Sequence, residues 1–202
     1  MRACCLNMLT PPRATRHLHS SLLAVALLVA LVATLSGAVA APPAELSRQD
    51  ASARAVYLYN FLGYIEWPSR ALPLTDSALV IGVVNADAVA AELLLSTLGR
   101  SINHRAVTIK RLQPGESLDD IHLLYIGPGD AEQVHALIGQ VPQRWTVTVT
   151  DEASSDALAG VINFRHSDGR LRFDVSQAAA DRGDFKLSSR LMSLAIVQPG
   201  RN

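Results

Sequence analysis

Beyond residue 40, three arginines around a turn and four scattered histidines hold most of the chemistry this chain offers. Arg165, Arg170 and Arg172 flank Ser167-Asp168-Gly169. On paired strands they would be cross-strand neighbours on one face. Guanidiniums grouped in this way fit a carboxylate or phosphate partner, because each presents a planar fork of donors. A polar sheet face neutralised by Asp168 and Asp174 is the stronger reading of the two. His104, His122, His135 and His166 share no i,i+4 spacing with each other or with a carboxylate, so no zinc-type ligand set emerges. His122 interrupts an apolar run, which marks a satisfied or half-exposed strand histidine rather than a general base.

The remaining polar groups read as structural. Gly127-Pro128-Gly129-Asp130 lies between a strand and a helix, where backbone amides can hold an anion. Asp130 already supplies a carboxylate there, so a helix cap is the better reading. Asp119-Asp120 and Asp151-Glu152 are paired carboxylates in loops beside turn residues. An acid–base pair needs surroundings that drive its two pKa values apart, and a solvated loop does not provide them. Ser188-Ser189-Arg190 opens a helix, where serine suits a cap; a nucleophile would need an adjacent base. The nucleophile-elbow, phosphate-loop, zincin and dinucleotide signatures are all absent from the chain. The chemistry points to a non-enzymatic binding domain, with no cofactor and no metal expected.

These residues need a scaffold, and the hydrophobic periodicity supplies one. Ala51, Ala55, Leu58, Leu62 and Ile65 recur at helical steps from Ser47 to Glu66, with Tyr57, Phe61 and Tyr64 alongside; Trp67-Pro68 should end that helix. Of the aromatic residues here, Tyr57, Phe61 and Trp67 are expected in the core. Ala78 to Val84 is nearly all apolar, the pattern of a strand buried on both faces. Asn85 to Asp87 can cap a helix through Leu98 that Gly99 closes. Asn103 to Leu112 and Ile121 to Ile126 read as strands. A helix from Asp130 to Gly139 follows, where Asp130 and Gln133 have capping-box spacing. Trp145 to Thr150 is a further strand. Val161 to His166 and Arg170 to Val175 form a hairpin whose Arg170, Arg172 and Asp174 face is wet. Short helices at Ser176 to Asp181 and Ser188 to Val197 complete the pattern. This order predicts a single α/β domain: a mixed sheet with an antiparallel hairpin, flanked by helices on both faces.

The chain of 202 residues is 49% hydrophobic and 18% charged, which suits a folded domain rather than a disordered one. Arg2, Arg13 and Arg16 precede an apolar run from Leu22 to Leu35, and small residues follow from Ser36 to Ala41. This is the layout of a cleavable signal peptide over residues 1–40, too short for a spanning helix. Residues 41–47, with Pro42-Pro43, read as a linker, and residues 48–198 as the domain. Losing three of eighteen basic residues leaves fifteen against eighteen acids, a formal charge of −3. Such a domain suits neither nucleic acid nor a membrane span. Both cysteines, Cys4 and Cys5, lie in the leader, so the exported chain has no thiol and no disulfide.

Ala55-Val56-Tyr57-Leu58-Tyr59-Asn60-Phe61 followed by Tyr64-Ile65-Glu66-Trp67-Pro68 resembles the opening motif of the YfiR family. Ile162-Asn163-Phe164 is similar to its Ile-Asn-Phe strand, and Leu187 to Ala195 resembles its terminal helix. Leu123 to Gly127 matches in order between them, and the resemblance spans residues of about 47 to 197. It implies a small periplasmic α/β protein, tending to dimerise, that works by protein–protein contact. The family's namesake holds an inner-membrane diguanylate cyclase inactive, and an outer-membrane lipoprotein relieves this, raising cyclic di-GMP and biofilm formation. Some relatives carry a cysteine where this chain has Ile121, so redox control through disulfides is not expected here. The leading expectation is therefore a periplasmic inhibitor of a membrane signalling enzyme, contacting its partner through the first helix and the hairpin arginines Arg165, Arg170 and Arg172. The alternative is a periplasmic small-ligand sensor acting with another membrane receptor.

Overall fold

A run of six consecutive buried residues, Leu79–Val84 (β2), forms the middle of the sheet. A strand can be apolar on both sides only if both faces are covered, and here they are. The computed structural model describes residues 48–113, 115–142, 144–151 and 160–196. The expected signal peptide and linker lie outside them. The elements in chain order are α1 (Arg48–Leu62), β1 (Ile65–Glu66), a 3-10 turn at Ser69–Ala71, β2, α2 (Asp87–Thr97), β3 (Ser101–Ile102), β4 (Arg105–Leu112), β5 (Leu123–Ile126) and α3 (Ala131–Gly139). They continue with β6 (Val147–Asp151), β7 (Ile162–Ser167), β8 (Arg170–Val175), α4 (Gln177–Ala180), β9 (Lys186–Leu187) and α5 (Ser189–Leu194).

Seven strands lie in the order β3-β4-β2-β5-β6-β7-β8, and β1 pairs with β9 apart from them. The pairs from β4 to β7 are parallel, while β3–β4 and β7–β8 are antiparallel. One face of the sheet, through Ile81, Val83, Leu123, Val149 and Phe164, packs on α1 and α2. The other, through Val80, Val84, Leu124 and Ile126, packs on Val134 and Leu137 of α3. The expected mixed sheet with helices on both faces is the fold observed.

Local chemistry explains most boundaries. Asp130 caps α3, its carboxylate accepting from the Glu132 and Gln133 amides. Gln133 does not complete a capping box; its amide oxygen accepts from Asn85. Gly99, at φ +68°, closes α2 as a glycine in the left-handed region should. Ser176 and Ser188 cap α4 and α5.

Four expectations need correction. Helix α1 stops at Leu62 rather than Glu66. Gly63 and Tyr64 turn the chain, and Ile65-Glu66 pair with Lys186-Leu187 as a short strand. The strand expected from Asn103 begins at Arg105, because Asn103 and His104 both adopt positive φ and turn the chain between β3 and β4. The hairpin face at Arg170 and Arg172 is exposed, but Asp174 on the same face is buried. Finally, Asp151 belongs to β6 and is buried in an ion pair, not solvated in a loop. Phe61 lies in the core as expected, while Tyr57 and Trp67 are half-buried against it.

Candidate functional site

The alternation of a strand assigns the hairpin residues to faces. Phe164 pairs with Phe173 and packs against Tyr57 and Phe61, so this side meets α1. Arg165 pairs with Arg172, Ser167 with Arg170, and Asn163 with Asp174, all on the opposite side. The register thus brings Arg165, Arg170 and Arg172 together on one face, as the sequence pattern anticipated. It also separates them from α1, so the first helix and the arginines do not form one surface.

A chain of hydrogen bonds anchors this face. The Thr150 hydroxyl donates to Asn163 Oδ1 at 2.7 Å, and Asn163 Nδ2 donates to Asp174 Oδ1 at 2.8 Å. Arg165 Nε then donates to Asp174 Oδ2 at 2.7 Å. Thr148 accepts from the Val161 amide in the same layer. The run crosses β6, β7 and β8 and fixes the Arg165 guanidinium with its charge balanced by Asp174. Arg170 and Arg172 are exposed and make no ion pair among the described residues. The face therefore offers two outward cations beside a rigid, neutralised third. Such an arrangement can attract an acidic surface.

The other charged centre lies on the α1 side. Arg54 donates through Nε and Nη2 to the two Asp151 oxygens at 2.6 and 3.0 Å, a bidentate fork with both side chains 1% exposed. The Tyr125 hydroxyl donates to Asp151 at 2.9 Å, and the Arg54 guanidinium lies near the Phe164 ring. Burial opposes charge on Arg54, but the hydrogen bond and charge of Asp151 outweigh it and hold its pKa above the ordinary value. Burial, with the Asp151 charge next, drives the Tyr125 phenol well above its ordinary range. Sequence reasoning missed this centre. Its signal was Arg54 itself, which sits on the helical stripe with Ala51, Leu58 and Phe61, where a charge must find a buried partner.

His122 is a satisfied core histidine. The Val80 amide donates to Nδ1 at 3.2 Å, so the ring proton is on Nε2, which donates to the Ala71 carbonyl at 3.0 Å. Burial lowers its pKa, and the Ala71 carbonyl opposes this only in part. Asp119 and Asp120 are exposed, as the loop reading had them. Counting only the parallel strands in chain order, the sheet runs 2-1-3-4-5, which puts a topological switch point between β2 and β5. Gly127 occupies it so closely that a Cβ would come within 2.5 Å of the Asn85 carbonyl oxygen. Backbone contact fills the place where a doubly wound sheet usually opens a crevice. Among the described residues no group of three or more His, Asp or Glu could hold a metal, and no helix is long and apolar enough to cross a membrane.

The domain is a doubly wound mixed sheet in which Arg54 and Arg165 are paired with aspartates, while Arg170 and Arg172 are exposed on the hairpin face. The chain belongs to the YfiR/HmsC-like family, whose model matches residues 51–196. A search of curated proteins gives no match. The family is regulatory rather than catalytic, connected with cyclic di-GMP signalling, and generally periplasmic.

Proposed function

We propose that this protein is a periplasmic regulator that inhibits an inner-membrane diguanylate cyclase by direct binding, with an outer-membrane lipoprotein as the partner that relieves inhibition. In this reading residues 1–40 are the cleaved export signal, residues 41–47 the linker, and the domain acts as a homodimer. The observation that carries the proposal is the family match, which spans the domain from α1 through α5. The hairpin face supplies a contact surface in Arg170 and Arg172, with Arg165 held in place by Asp174. Inhibition by binding requires different affinities for the active and inactive partner, and tenfold discrimination takes only about 1.4 kcal/mol.

The test is to delete the gene and measure cellular cyclic di-GMP, then recover the protein from the periplasm with whatever membrane protein it holds. A rise in cyclic di-GMP on deletion, with a cyclase-bearing membrane protein co-purified, supports the reading. Unchanged cyclic di-GMP with protein confined to the cytosol overturns it.

A further inference from the structure

Helix α2 buries Val89, Ala90, Leu93 and Thr97 against the sheet and α1, yet its far side is just as apolar. Leu94 is 43% exposed, Leu95 62% and Leu98, at its C-terminal cap, 74%. Ala88 is exposed and Ala91 half-buried. At 100° per residue Ala88, Ala91, Leu94, Leu95 and Leu98 form one outward stripe whose one charged residue is Asp87, at its N-terminal end. Three large apolar side chains grouped on one exposed face are normally covered, so this stripe is an unpartnered interface.

The order of residues says what covers it. The two alanines lie in the first half of the stripe and the three leucines in the second. An antiparallel pairing of two such helices lays Leu98 over the other copy's Ala88 and Leu95 over its Ala91, with Leu94 beside the two-fold axis. A parallel pairing sets leucine on leucine and leaves the alanines facing a gap. Charge agrees with the antiparallel choice. Asp87 is exposed at the first turn and Arg100 is exposed just past the last, so each end brings opposite charges together. Arg100 is already aligned there by its bond to the Ser96 carbonyl and its stacking 4.1 Å from the Tyr59 ring centre. The antiparallel arrangement also aligns the helix dipoles favourably.

We infer that a second copy of this chain covers the α2 stripe, in a two-fold dimer with α2 packed antiparallel on α2. The contact is isologous, since the same patch serves both copies. Centred on one helix pair, it falls at the small end of specific interfaces, below about 1,200 Å2 in total. This inference deepens the regulatory reading by naming the dimer face, but the two fail separately: one is read as mass, the other as cyclic di-GMP.

The experiment uses the protein expressed from its full sequence and recovered from the bacterial periplasm, where removal of residues 1–40 leaves no native cysteine. Sedimentation should give twice the monomer mass at about 100 μM. The double variant Leu95→Glu, Leu98→Glu should give the monomer mass, with dissociation at least about 100-fold easier and thermal unfolding unchanged. Single cysteines address the geometry without disturbing folding. Leu94→Cys should cross-link to itself; Leu98→Cys should not, but should cross-link to Ala88→Cys when the two chains are mixed. A wild-type monomer at 100 μM, a dimer that survives the double substitution, or self-cross-linking of Leu98→Cys each overturns the inference. So does a monomeric wild type whose double variant loses cyclase restraint or loses binding to phospholipid vesicles, since the stripe then belongs to a partner protein or to lipid.

Discussion

The two arginine–aspartate pairs of this domain, Arg54–Asp151 and Arg165–Asp174, have nearly the same bond lengths but different surroundings. The first is 1% exposed on both sides and lies among the aromatic rings of the core. The second has its carboxylate 4% and its guanidinium 20% exposed, at the edge of the hairpin face. Water can still solvate Arg165 in part, but neither member of the first pair. In a low dielectric each charge there is stable only while the other is present. The buried pair fixes how α1 sits on β6, whereas the edge pair orients a surface residue. One centre belongs to the fold and the other to what the fold presents.

The largest effect should come from breaking the buried pair on one side. Arg54→Met leaves Asp151 buried with the Tyr125 hydroxyl as its one side-chain partner among the described residues, and stability to denaturant should fall by about 3–5 kcal/mol. The double variant Arg54→Met, Asp151→Leu should recover most of that loss, because no orphaned charge remains. A loss under about 1 kcal/mol in the single variant would mean the site is wetter than its burial indicates. Arg165→Met should cost less, about 1–2 kcal/mol, since Asp174 keeps the Asn163 amide and gains access to water. The difference between parent and Arg165→Met should shrink in 1 M salt, while that for Arg54→Met should hold.

How far the sequence revealed these two regions follows from the range of each signal. The hairpin was legible because its information is local: Asp168-Gly169 sets the turn, both at positive φ, and the alternation of Leu171, Phe173 and Val175 with Arg170, Arg172 and Asp174 sets the faces. The caps at Asp130 and Ser188 were legible for the same reason. The core pair was not, because Arg54 and Asp151 are 97 residues apart and only the folded sheet brings them together. Asp174 was misplaced for a related reason. Period-two alternation puts it on the outward face, but the Asn163 and Arg165 side chains across the strand enclose it. The leucine stripe of α2 went unread because apolar helix residues are taken for core until the other face is seen to be filled.

A smaller effect separates a titrating core group from both pairs. His122 has a lowered pKa in the folded chain, so the unfolded chain takes up a proton first as pH falls. Protonation would also put an N–H at Nδ1 facing the Val80 N–H. Stability should therefore decline as pH drops below about 6.5, by no more than about 1.4 kcal/mol per pH unit for one proton. His122→Gln should be less stable at pH 8 but flatter between pH 7 and 5. Equal slopes in the two proteins would remove His122 as the source.

The smallest effect on stability should come from the residues proposed to matter most for binding. Arg170→Glu with Arg172→Glu changes exposed side chains that make no ion pair among the described residues, so unfolding should shift by less than about 0.5 kcal/mol. Two charge reversals nevertheless replace attraction to an acidic partner with repulsion, which acts mainly on the association rate and its salt dependence. The variant should remain folded, fail to retain the membrane partner, and raise cyclic di-GMP toward the level of the deletion. Arg165→Met should give a partial version, because it removes a positioned but neutralised charge. Should the double reversal leave cyclic di-GMP untouched, the hairpin is ordinary solvated surface.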